Sequence, residues 1–368
     1  MSRSSWRRSR WSRWAPGGLL LLCLGAPGGA IGAGLQLAEG LRVEVVASAI
    51  PRPVQLALDG TGGLVVLSHG WRGDAAGEIY HIDLRGPWPA DAGRVRRLVV
   101  PFSGEARKSA LGSLAVDPRS GELFLGEENG NRIYRLTADR RLVPLVVGLN
   151  HLLGGSSIAL DPAGRLVFLD YVSPETHLRS ESPLPPSLRW LTDEAYRGPL
   201  VFRIDPAAAD VFPRRTDLLT PIFPKGVNPA SGVEPEWTLI AVAAAPAGEL
   251  VLLSSIGELL RLTASGELRR VGRLPPGHYH RTSMALGPDG SVYVSAGFHI
   301  RHVYRVHPAG RVESVARDLG DPGGLVVDGD ALYVAETALH RIIRILPIHS
   351  PGGEQHPPDR RDPPDPRP

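Results

Sequence analysis

The sequence predicts an all-β chain: a six-bladed β-propeller of four-stranded antiparallel blades, with the ring closed by the N-terminal strand. Three observations carry this. One apolar strand–turn–strand unit recurs six times along the 368 residues. A third strand follows every copy in register. The two ends of the repeat region each hold part of one and the same unit.

The copies are LALDGTGGLVVLS (56–68), LAVDPRSGELFLGE (114–127), IALDPAGRLVFLD (158–170), VAAAPAGELVLLS (242–254), MALGPDGSVYVSA (284–296) and LVVDGDALYVAE (325–336). The column Asp59, Asp117, Asp161, Ala245, Gly287, Asp328 advances by 58, 44, 84, 42 and 41 residues. The basic unit is therefore about 42 residues long, with insertions in the first and third copies. The third strand reads IYHI (79–82), IYRL (133–136), VFRI (201–204), LLRL (259–262), VYRV (303–306) and IIRI (342–345). These runs are short, β-branched and aromatic, and Gly, Asp and Pro turns separate them, which is how strands and hairpins are written. A fourth strand is legible at 97–100, 142–147, 268–271 and 311–316. Four strands per 40-odd residues is the period of a propeller blade.

The ends predict closure. The last copy stops after its third strand, at Leu346, and the segment GLRVEVVASAIPRP (40–53) matches the fourth strand and linker of the fifth copy, GRVESVARDLGDP (310–322). Strand 41–47 is thus expected to complete the sixth blade, which leaves no open sheet edge at the seam.

Residues 1–33 read as a cleaved secretory leader. Five arginines (Arg3, Arg7, Arg8, Arg10, Arg13) and no acid precede the apolar stretch Gly17 to Gly25, followed by small residues to Gly34. The stretch is shorter than the roughly 20 residues that span a bilayer. Cleavage is expected between Ala30 and Ala33, and the Arg7-Arg8 pair leaves the export route open between general secretion and the twin-arginine path. Cys23, the only cysteine, falls in the leader, so no thiol or disulfide is expected in the exported chain. The net charge of +3 becomes +3 − 5 = −2 without the leader, which excludes a nucleic-acid-tracking surface. The expected organisation is leader 1–33, propeller 41–346 and a disordered, Pro-rich tail 347–368. A secreted or periplasmic monomer without a membrane span follows.

Alternating strand directions place the start of strand one and the end of strand two of every blade on one face. That face is expected to carry Arg52, His69, Trp71, Glu127, Asn129, His151, Asp170, Tyr171, His278, His280, His299, Asp321 and Glu336, with insertion 172–198 over it. Glu127 and Glu336 each have an arginine five residues on (Arg132, Arg341), the offset of a cross-strand ion pair. Asp170 has none. The segment HYHR (278–281) precedes an innermost strand, and two histidines near Asp321 and His151 have the chemistry to hold a metal or move a proton. The candidate ligand site is therefore His151, Asp170, His280 and Asp321, converging at the channel mouth. The column His81, Arg135, Arg203, Arg261, Arg305, Arg344 lies away from the channel and reads as structural. No G-x-S-x-G, H-E-x-x-H, P-loop or dinucleotide fingerprint occurs.

The segments RIYRL, VYVSAG and above all GGLVVDGDALYVAETALHRIIRI (323–345) resemble NHL-type propeller repeats. Over about 41–346 the chain also resembles the wider superfamily of gluconolactonase (senescence marker protein) and strictosidine-synthase-like proteins. The gluconolactonase resemblance implies a divalent cation, such as Ca2+ or Zn2+, held in the channel by a Glu, an Asn and an Asp at the starts of innermost strands. The corresponding positions here are Gly112, Ser156, Thr282 and Gly323, with Asp321 and Asn150 close by but out of register. A similarity to quinone-dependent sugar dehydrogenases rests on the fold and His151. Two functions stay open: a module binding a small molecule, glycan or protein partner at the channel mouth, and a metal-dependent hydrolase or lactonase, with a lyase or sugar dehydrogenase behind it.

Overall fold

The computed structural model describes residues 34–69, 77–98, 110–128, 132–137, 139–149, 152, 154–170, 200–207, 213–219, 238–297 and 300–348. Six antiparallel sheets stand around one axis. Blade 1 is Pro53–Leu58, Gly63–Ser68, Glu78–Asp83 and Val95–Leu98; blade 2 is Ala110–Val116, Leu123–Glu128, Arg132–Leu136 and Leu142–Val147. Blade 3 is Ile158–Leu160, Leu166–Asp170 and Leu200–Ile204; blade 4 is Leu239–Ala244, Leu250–Ser254, Glu258–Leu262 and Leu268–Arg273. Blade 5 is Met284–Leu286, Val292–Ser295, Val303–Val306 and Val312–Arg317; blade 6 is Pro322–Asp328, Ala331–Glu336, Arg341–Leu346 and, from the other end of the chain, Arg42–Ser48. Each innermost strand borders the next, and that of blade 6 borders that of blade 1, so the ring is closed.

The expected closure is observed in register: Arg42 to Ser48 pair antiparallel with Leu346 to Arg341. Two details depart from a uniform four-strand blade. Among the described residues blade 3 has three strands, extended by one isolated bridge, Phe202 to Leu218. Blade 5 gains a fifth strand, Gln36–Leu37, paired with Arg317 and Ala316. A two-residue strand is too short to show a period in sequence.

The core is divided. Six apolar clusters fill the six spaces between neighbouring blades. The cluster between blades 6 and 1 joins Val46, Ala47, Tyr333 and Ile342 to Leu56, Leu64, Val66 and Ile82. Each blade is thus apolar on both faces, which is why the second strands read as unbroken aliphatic runs rather than alternating ones. Stability is a sum of blade–blade interfaces, and closing the ring adds the sixth.

The aspartate column shapes hairpins. Asp59 accepts from the Thr61 and Gly63 N–H groups at 2.7 and 2.8 Å and pairs with His81 Nε2 at 2.8 Å. Asp161 accepts from the Ala163 and Arg165 N–H groups at 3.0 and 2.9 Å and pairs with Arg203 Nε at 3.3 Å. Where the column loses its aspartate, a neighbour supplies the carboxylate: Glu249 meets Arg261 at 3.2 Å and Asp289 meets Arg305 at 2.7 Å. The His/Arg column of strand three is therefore paired and structural in these four blades, as the sequence implied.

Candidate functional site

One concavity sits where the innermost strands start. Val54, Gly112, Gly154, Gly155 and Gly323 line it from the strand starts, with Arg281, Asp321 and Pro322 just ahead of or entering theirs. His69, Gly297 and Thr337 line it from the ends of second strands. This is the face reasoned from strand direction. The concavity spans about 340 Å³ including its solvent-open part, but the centre of a water molecule has only about 20 Å³ in which to move. That is room for a water or one small polar group.

A repeated linker aims the rim residues. In SAIPRP (48–53) and RDLGDP (317–322), Ala49 and Asp318 take left-handed backbone (φ 61° and 60°), as do Arg52 and Asp321 (φ 40° and 52°). Between them Ile50 and Leu319 are buried anchors. Arg281 fills the same slot ahead of Thr282, also left-handed at φ 52°. Left-handed non-glycine residues are uncommon and cluster where a site over-determines the backbone. The linker of blade 2 begins the same motif with Gly148 (φ 73°) and buried Leu149.

Below the mouth the channel is blocked. The Ser156 N–H donates to the Thr282 carbonyl at 3.0 Å, joining blade 3 to blade 5, and the Ser156 carbonyl accepts from the Val242 N–H at 2.7 Å. The Gly155 N–H donates to the Gly112 carbonyl at 3.0 Å. Gln55 Nε2 reaches from blade 1 to Ser283 Oγ at 2.7 Å, and the Ser113 and Ser157 hydroxyls meet at 2.6 Å. Glycine permits this approach: Gly155 has φ +98°, and a Cβ there would strike the Thr282 carbonyl oxygen. Beyond this polar diaphragm a wider chamber of about 530 Å³ opens toward the opposite face, walled by residues such as Leu56, Leu58, Leu114, Val116, Ile158 and Met284.

The four candidate residues are placed as follows. Asp321 lines the mouth. His280 precedes Arg281 and is partly buried; its ring stacks on His278 at 6.3 Å between centroids, and it is not among the lining residues. Asp170 ends the second strand of blade 3 opposite Leu200, is 1% exposed and is itself engaged in a polar interaction. His151 lies outside the described residues, as do Trp71, Asn129, Tyr171, His299 and segment 172–198. Glu336 stands opposite Arg341 and accepts from its Nε and, at 2.9 Å, from the Gly320 N–H, the predicted ion pair. Glu127 accepts from the Tyr134 hydroxyl at 3.4 Å.

Two mouth residues lie outside the four-residue candidate site: His69, which the sequence placed on this face, and Arg281, which it did not single out. The signal for them was available: His69 follows a second strand, and Arg281 holds the slot of Arg52 and Asp321. The His69 N–H donates to the Arg52 carbonyl at 3.1 Å. Burial, then the charges of Arg52 and Arg281, hold the His69 pKa at about 4, against an opposing hydrogen bond to the Leu111 backbone. His69 is therefore a neutral imidazole at pH 7.

No protein-family model and no curated protein matches the chain. Solved structures do. A gluconolactonase of Xanthomonas campestris superposes with a TM-score of 0.55 at 14% identity, over 84% of this chain and 91% of that one. A catalytically inactive virginiamycin B lyase of Staphylococcus aureus, with quinupristin, gives 0.51 at 14% identity, over 85% and 99%. The fold is that of the gluconolactonase-like six-bladed propellers. An auxiliary nutrient binding protein of Bacteroides thetaiotaomicron shares it, with a TM-score of 0.53 at 13% identity over 83% of this chain and 76% of that one. At such identities the likeness is one of fold, and function must be read from the site.

The divalent cation that the resemblance implies does not fit these residues. Gly112 and Gly323 offer no donor side chain, and Ser156 Oγ accepts from the Met284 N–H at 3.0 Å. Thr282 is fully buried, its hydroxyl without a hydrogen-bond partner among the described residues. Among the described residues no three His, Cys, Asp or Glu side chains gather as ligands. Also among them, no helix is long and apolar enough to cross a membrane.

Proposed function

We propose that this chain is an exported, monomeric propeller that binds a small molecule at its channel mouth without turning it over. The observation that supports this most is the mouth itself: Asp321, His69 and Arg281 border one concavity, closed below by a hydrogen-bonded diaphragm, while the positions that would ligate a catalytic cation carry glycine, serine and threonine. Polar groups gathered at a concave rim are the default binding-site reading. His280 and Asp170, and His151 on its sequence position alone, are proposed for the same site. The nutrient-binding propeller of the same fold is consistent with this use. Export rests on the leader pattern of residues 1–33, and a secreted or periplasmic location follows from it.

The test is a binding panel of sugars, lactones and esters on the exported protein, with metal analysis beside it. Asp321→Ala and His280→Ala should each weaken binding by about tenfold or more, the loss of roughly 1.4 kcal/mol, with the melting temperature nearly unchanged. One tightly bound Ca2+ or Zn2+ per chain together with EDTA-sensitive turnover would overturn the reading in favour of a metal-dependent hydrolase. Mass spectrometry from the native host should place the N-terminus between Ile31 and Gly34, and a mature chain that still begins at Met1 would overturn export.

A further inference from the structure

We infer that the chamber beyond the diaphragm is a second ligand site, separate from the mouth. Its ligand is an uncharged, largely apolar small molecule that ends in a neutral hydrogen-bonding group. The inference does not depend on what the mouth binds.

Every innermost strand ends in three apolar residues just ahead of its hairpin: LAL (56–58), LAV (114–116), IAL (158–160), VAA (242–244), MAL (284–286) and LVV (325–327). All of them line the chamber. The last position of each triplet forms a collar at the outer opening: Leu58, Val116, Leu160, Ala244, Leu286 and Val327, one from each blade. All but Val116 are partly exposed. The middle position is alanine in five blades and Val326 in the sixth, so a small side chain stands there around the whole ring. Water alone in this well would leave the aliphatic collar hydrated, and an apolar ligand body removes that area from water.

The closed end is polar but uncharged. Gln55 and Ser156 line it, and both belong to the diaphragm. Each wall strand is also the edge of its sheet, so backbone N–H and C=O groups border the bore and serve a neutral polar end. Among the described lining residues the charged side chains are Asp117, Arg119 and Asp161, all on the hairpins of blades 2 and 3 at the open end. They are committed: Asp117 accepts from Arg119 Nε at 3.2 Å, Arg119 Nη2 donates to the Ala163 carbonyl at 3.3 Å, and Asp161 accepts from Arg165 Nε at 2.8 Å. An ion entering the chamber would lose water and meet no counter-charge at the floor. The size agrees: about 530 Å³ falls within the roughly 300–1,000 Å³ of small-molecule sites.

Fluorescence of N-phenyl-1-naphthylamine, an uncharged dye that brightens in apolar surroundings, tests this on the full chain. The dye should bind, and 1-octanol should displace it. Octanoate, the charged counterpart of the same chain length, should be weaker by about tenfold or more, and glucose should not compete. Ala244→Phe narrows the collar and Val327→Asp adds a charge to it. Each should weaken dye binding by about tenfold or more, while Asp139→Ala, on an exposed turn, should leave it unchanged. Melting temperatures check folding, and because the two collar substitutions lie in different blades, one folded variant suffices. Dye binding that is kept in a folded Ala244→Phe or Val327→Asp chain overturns the site, as does the absence of dye binding to the wild type. Octanoate that displaces the dye as well as 1-octanol overturns the uncharged class.

Discussion

Glu44 and Arg344 lie 300 residues apart in the chain and face each other across the strand pair that closes the ring, with Arg344 Nε donating to Glu44 Oε2 at 2.8 Å. The guanidinium holds the Glu44 carboxyl below its ordinary pKa, and it also lies over the Trp88 ring at 4.9 Å. The seam thus carries the same strand-three ion pair as the other blades, with its acid supplied by the opposite end of the chain.

The seam is held by apolar burial more than by that pair. Val46 and Ala47 are fully buried, and Val43 and Val45 pack beside the neighbouring interface. Deleting Arg42–Ser48 should abolish cooperative unfolding, because losing these side chains removes roughly 4–6 kcal/mol from a fold of ordinary marginal stability. Glu44→Gln should cost only about 0.5 kcal/mol, since both partners are partly solvated. Urea melts of the two variants should differ accordingly, and equal losses would show that the ion pair closes the ring.

Gly155 is expected to be the least replaceable glycine at the diaphragm. Gly155→Ala combines a left-handed φ of +98° with a collision against Thr282 backbone and should destabilise by about 2 kcal/mol or more. Gly248 is also left-handed, at φ +81°, but has open space around it. Gly248→Ala should therefore cost about 1 kcal/mol. Denaturation midpoints of the two variants would separate steric crowding from conformational cost.

Asp161 is the buried keystone of blade 3. Its side chain is fully buried, accepts from two backbone N–H groups and from Arg165 Nε, and forms an ion pair with Arg203. Burial alone would raise its carboxyl, but the Arg165 hydrogen bonds and the two guanidinium charges outweigh it and lower the pKa. Asp161→Ala should cost about 3 kcal/mol, because Arg203 is left partly buried without its carboxylate. Asp139→Ala, on a solvent-exposed turn, should change the melting midpoint very little.

Acid should weaken the fold through His69. Its pKa falls from 6.5 in the unfolded chain to about 4 in the folded one, so between those values the unfolded state binds more protons. The stabilisation is complete above about pH 6.5 and is lost as the pH falls toward 4. The urea midpoint of the wild type should drop across that window, and His69→Gln should flatten the slope. A variant with an unchanged profile would show that other groups drive it.

Much of this protein was determined by its sequence alone. Blade number, strand order, the closing strand and the face that carries the strand starts all follow from a unit of about 42 residues, because each strand is written locally by its own apolar run and turn. The Glu336–Arg341 pair was legible for the same reason, being set by one hairpin. What only the tertiary structure decided concerns groups brought together around the ring. The contact between Ser156 and Thr282 and the reach of Gln55 to Ser283 depend on how closely six sheets approach one axis, which glycines such as Gly155 control. The chamber beyond the diaphragm is a product of the same packing. The substitutes Glu249 and Asp289 break the aspartate column yet reach the same arginines, because a hairpin tip admits a carboxylate from more than one position. The approach of Arg281, ahead of blade 5, to His69, at the end of a blade 1 strand, is likewise invisible in a single repeat, because only the ring brings both to one concavity.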